Sequence, residues 1–162
     1  MKISRYHSHL NGYEFLKVHI PHLWDDVCAA VMTANAQECI SKGRSSRRPY
    51  LVSQLKKRMQ GSLVGYGWKP HLASPGTKLL KNRVAVNVKF GGELLGPHGL
   101  LANHIEHYSS DVIDVGIEIL PTKELSEKLS SVAASYEDEL GSLTRVRRGV
   151  PAVPLVLIGV AP

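Results

Sequence analysis

Asn87 and Lys89 stand two residues apart in an alternating stretch, so on a strand both project from the same polar face. Val84, Val86, Val88 and Phe90 project from the other, the pattern of a half-buried strand. A carboxylate at the first polar position would hold a divalent metal, and a Lys or Gln at the second would position the attacking water or contact a scissile phosphate. With a second carboxylate from the preceding strand, the metal activates water and stabilises charge during phosphodiester hydrolysis. Here the first position is Asn, and the preceding strand offers Lys78 in place of an acid. Two readings stand side by side: a remnant of a hydrolytic centre, or two polar residues that solvate an exposed strand face.

The charge around these residues is segregated. No acidic residue lies between Glu38 and Glu93, while 12 of the 20 Lys and Arg fall there. The whole chain carries 14 Asp and Glu, for a net charge of +6, so the remainder is acidic. Such a block suits a polyanion, and DNA or RNA is the usual one.

At 162 residues the chain is expected to form a single domain with a proper core. A hydrophobic content of 43% with 21% charged residues excludes wholesale disorder. Cys28 and Cys39 form no CxxC pair and suit reduced thiols in a cytoplasmic setting. No signal peptide is expected from the opening residues, and the tract Val150–Val160, broken by Pro151 and Pro154, is too short to span a membrane.

The elements that must position Asn87 and Lys89 follow from periodicity. Asn11 and Glu14 predict a capped helix start, and Pro21 opens a second helix with Leu23, Trp24, Val27, Cys28, Val31 and Met32 as its core stripe. Ser41–Arg48 is a basic loop, Ser53–Met59 a helix, and Gly61–Gly76 a connection. A strand at Thr77–Leu80 would turn at Lys81-Asn82 into the strand of Asn87. Then come a helix around Pro97–Tyr108, a strand Val112–Leu120 with Asp114 and Glu118 on its polar face, a long helix Thr122–Leu140, and a buried strand Ala152–Val160. This order predicts an α/β domain with a mixed sheet flanked by helices.

The stretches KNRVAVNVKFGG at Lys81–Gly92, IDVGIEILP at Ile113–Pro121 and the closing Ser130–Val160 resemble the BglII/BstYI family of type II restriction endonucleases. So do His9–Trp24 and the Gly67-Trp68 pair, and the similarity spans roughly residues 8–160. The resemblance implies a restriction-endonuclease-like PD-(D/E)XK fold, homodimeric binding to double-stranded DNA, and magnesium-dependent cleavage.

The metal strand departs from that pattern. The family's Asp falls on Lys78, its Glu on Asn87, its Gln on Lys89 and its final Lys on Gly92. The first three changes move the local charge by +4, which repels a divalent cation and attracts a phosphate. No cofactor is therefore expected, and magnesium only if cleavage survives through relocated acids at Glu93, Asp114 and Glu118. The resemblance thus implies a DNA-binding protein on a nuclease scaffold without cleavage, the alternatives being an active endonuclease or an inhibitor that pairs with another protein of a defence complex. Candidate DNA contacts are Arg44, Arg47 and Arg48 in the basic loop, Lys81, Arg83 and Lys89 around the strand, and Arg145, Arg147 and Arg148 before the last strand. His104 and His107, at helical spacing, and His7 and His9 lack the Cys or carboxylate company of a transition-metal site and are expected at the surface or facing DNA.

Overall fold

A computed structural model describes residues 1–36, 48–71, 78–90, 104–129, 134–145 and 153–162. Its centre is a six-stranded mixed sheet. In chain order the strands are β1 (Lys2–His9), β2 (Lys69–Pro70), β3 (Leu79–Lys81), β4 (Val84–Val88), β5 (Val115–Pro121) and β6 (Leu155–Ala161), arranged β1-β6-β5-β4-β3-β2. β4, β5 and β6 run parallel, while β1, β3 and β2 pair antiparallel. The helices are α1 (Gly12–His19), α2 (Pro21–Thr33), α3 (Arg48–Gly65), a helical stretch at 104–109 (α4), α5 (Lys123–Leu129) and α6 (Tyr136–Thr144). This is the mixed, helix-flanked α/β sheet that the sequence predicts.

Period-two alternation sorts the central strands into two buried faces. Val84, Val86 and Val88, Val115, Ile117 and Ile119, and Val156, Ile158 and Val160 pack with α1, α2, α3 and α5 into the larger core. Ala85, Leu120, Leu155 and Leu157 face a smaller one closed by Tyr136 and Leu143 of α6. β4 is therefore buried on both sides, not half-buried. Asn87 is 7% exposed, which removes the solvated-face reading of that residue.

Several expectations are corrected. β1 was not foreseen: as an outer strand it carries the weakly apolar sequence KISRYHSH, and its ladder with β6 is interrupted by a bulge between Ile3 and Arg5. Asn11 does not cap α1 through its side chain but sits at φ 59, and Glu14 instead accepts a hydrogen bond from Ser8 Oγ. Within the α2 stripe Met32 is exposed. α3 runs from Arg48 to Gly65, well beyond Ser53–Met59. The hairpin turn lies at Asn82-Arg83, both with positive φ, one residue later than expected. Two left-handed residues give the turn the twist that suits a two-residue hairpin. The long helix after Pro121 is two helices, because Ser135 and Asp138 form a capping box that starts α6 afresh.

Candidate functional site

The register of the parallel pair sets Asn87 of β4 directly beside Glu118 of β5. Glu118 is fully buried, and Asn87 Nδ2 lies 3.3 and 3.2 Å from its two oxygens. His104, also fully buried, brings Nε2 to 2.8 Å from Glu118 Oε1. Its Nδ1 has no hydrogen-bond partner, so the tautomer that fits carries its proton on Nε2 and donates to the carboxylate. The ring comes this close because β5 has Gly116 there: a Cβ would stand 2.7 Å from His104 Nδ1. Lys89 places Nζ 3.8 Å from Glu118 Oε2, with its side chain 11% exposed. That distance is an ion pair and not a hydrogen bond, and Nζ is buried without a hydrogen-bond partner.

Two further charged groups face this carboxylate. Lys78 is 1% exposed, and burial pushes its ammonium below the usual lysine range, against the pull of Glu118 and helped by repulsion from Lys89. Glu139 of α6 is 3% exposed, and burial raises its carboxyl to about 7, with Lys89 opposing the rise while Glu118 and Asp138 add to it.

Lys78, Asn87 and Lys89 are thus gathered around Glu118. These residues do not fit a divalent metal. Both oxygens of Glu118 accept from Asn87, one also from His104, and the Lys89 ammonium lies alongside. Among the described residues, no group of three or more His, Cys, Asp or Glu side chains is placed to hold a metal ion.

The other candidates scatter. Asp114 is held by Arg83, whose Nε and Nη2 each lie 2.9 Å from its carboxylate, and Arg83 also binds Asp111. Lys81 lies 2.7 Å from Asp26, which also accepts from Trp68 Nε1 at 3.0 Å. Lys81 and Arg83 are therefore neutralised by acids from outside the basic block. Lys89 is interior. Arg145 is exposed at the end of α6, and Arg48 begins α3. Arg44, Arg47, Glu93, Arg147 and Arg148 lie outside the described residues.

His104 and His107 are buried, at 0% and 5% exposure, against the surface placement expected of them. Neither His104 nor Glu139 was singled out from sequence as part of this cluster. A signal for Glu139 was present, since Tyr136, Glu139 and Leu143 share one helical stripe. For His104 there was none, because its partner lies 14 residues on in another element.

In sequence, residues 4–160 match the family described as restriction endonuclease BglII/BglIII. No curated protein matches the chain. Among solved structures, a crystal structure of free BglII superposes over 100% of this chain and 80% of its own, with a TM-score of 0.65 at 20% identity. That likeness shows a shared fold. The family match extends over nearly the whole sequence, and the chain belongs to the BglII/BglIII restriction endonuclease family.

Proposed function

We propose that the chain binds duplex DNA on a restriction-endonuclease scaffold whose metal-dependent cleavage has been lost. One observation carries the proposal: at the centre of the sheet Glu118 accepts from Asn87 and His104 with the Lys89 ammonium beside it, where hydrolysis needs acids open to a cation. Family membership supports the DNA partner, and it equally supports the pairing of two copies on the duplex. Of the acids in the relocated-acid alternative, Asp114 pairs with Arg83 and Glu118 with its own neighbours, while Glu93 lies outside the described residues.

The test pairs plasmid cleavage in magnesium or manganese with duplex binding at low salt. The protein should bind and not nick. The variant Lys78→Asp/Asn87→Glu/Lys89→Gln, checked for folding by circular dichroism, should gain metal-dependent nicking. EDTA-sensitive nicking by the unaltered protein would overturn the proposal, as would a failure to bind any duplex. If about six basic side chains meet phosphates, the logarithm of affinity should fall with that of salt at a slope near −5.

A further inference from the structure

Lys69 and His71 belong to no candidate set drawn from the sequence, yet the pleat puts them on the face of the central cluster. Lys69 pairs with Leu80 across β2 and β3, and the His71 N–H donates to the Lys78 carbonyl at 2.9 Å. Leu80 pairs in turn with Ala85, two residues before Asn87. Directly paired residues share a face, and so do alternate ones. Lys69, His71, Lys78 and Leu80 therefore lie on the side of the sheet that carries Asn87 and Glu118. The row begins at exposed Lys69, on the outermost strand. It passes half-buried His71, whose ring meets His107 edge-on at 4.8 Å, and ends at buried Lys78.

A groove of about 350 Å³ opens along the start of this row. Eight of the described residues line it, none of them acidic, and five carry side-chain N–H donors: Lys69, His71, Lys81, Asn82 and Arg83. The acids that neutralise two of these, Asp26, Asp111 and Asp114, are not among those lining residues. Asp26 and the Tyr66 carbonyl hold Lys81, leaving one N–H of its ammonium. Asp111 and Asp114 hold Arg83, leaving one of its five. Both side chains are thus fixed in place, while Lys69 supplies a charge that no carboxylate among the described lining residues offsets.

We propose that this groove seats a backbone phosphate of duplex DNA, with Lys69 and His71 donating to its oxygens. The proposal deepens the DNA-binding reading and rests on it. The polar side chains among the described lining residues are chiefly donors, which match phosphate oxygens, whereas base edges present donors and acceptors together. A free nucleotide fits less well, because His71, the one aromatic ring among the described lining residues, is already packed on His107.

The test is fluorescence anisotropy of a labelled duplex across a salt series. Lys69→Gln should weaken low-salt binding several-fold and make the salt slope shallower by about 1, the loss of one phosphate contact. Lys69→Glu should weaken it further. Lys128→Gln is the control: that lysine pairs with Glu124 on α5, which packs on the opposite face, and the slope should not move. Unchanged binding by both Lys69 variants, with the unaltered protein still salt-sensitive, overturns the groove and leaves the DNA-binding reading standing. Failure of the unaltered protein to bind duplex overturns both. A second arm follows His71 by NMR with inorganic phosphate and with a nucleoside monophosphate. Saturation by either at duplex-like concentration would reassign the groove to a small anion and overturn the backbone assignment.

Discussion

Asn87 and Glu118 sit side by side on adjacent parallel strands, the amide of one donating to both oxygens of the other. The pair spans the middle of the sheet, where two acids would have to share a cation or a proton. An amide in place of one acid makes the site self-sufficient. Glu118→Ala should therefore cost about 3–5 kcal/mol, since the Lys89 ammonium would lose its counter-charge and His104 Nε2 its acceptor, both in the interior. Glu118→Gln, which keeps the shape, should cost less. Urea unfolding of both variants checks the order.

Glu139 makes stability depend on pH. Its carboxyl ionises near 4.5 when unfolded and at about 7 in the fold, so the native state holds its proton more tightly. A raised folded value means that this group's contribution is fully present below the unfolded value and is lost as pH rises through the folded one. The protein should thus be less resistant to urea at about pH 8 than at about pH 5 on this group's account. In Glu139→Gln the gap between the two midpoints should narrow. An unchanged gap would place the titrating group elsewhere.

Asp26 ties α2 to the β3–β4 hairpin by accepting from both Trp68 Nε1 and Lys81 Nζ. Trp68 is 1% exposed, so Asp26→Ala would strand a buried indole N–H, at about 1–3 kcal/mol. Denaturant midpoints followed by tryptophan fluorescence report this directly. Asp26→Asn, which keeps an acceptor oxygen, should recover part of the loss.

Gly116→Ala should push His104 away from Glu118, because the added methyl would meet both the imidazole and Leu155 Cδ1 at under 3 Å. Overpacking of this kind costs about 1–3 kcal/mol. The specific readout is the imidazole: its NMR signals should lose the signature of a ring bonded to a carboxylate.

The sheet was legible because the apolar residues of β4 and β5 recur at a period of two, while the near-continuous apolar run of β6 marks a strand buried on both faces. The family resemblance placed Lys78, Asn87 and Lys89 in one pocket. What the chain did not disclose was their counter-charge. Glu118 was visible as a polar position on a strand, but nothing local says that it is buried or that His104 folds onto it. For two of its cations the acid-free block says less than it suggests, for the same reason. Absence of acids along the sequence is not absence in space, and Asp26, Asp111 and Asp114 return to cancel Lys81 and Arg83. The Ser135–Asp138 capping box was a readable signal, yet the apolar spacing that continues across it suggested one long helix.

The bulge in β1 bears on how the molecule behaves when concentrated. A seventh strand docking on that rim would meet a broken ladder between Ile3 and Arg5, with the cations Lys2 and Arg5 exposed at its margin. At the opposite rim β2 offers two residues, Lys69 and Pro70, among the described ones. Both borders therefore resist templated growth, which favours solutions free of fibrils.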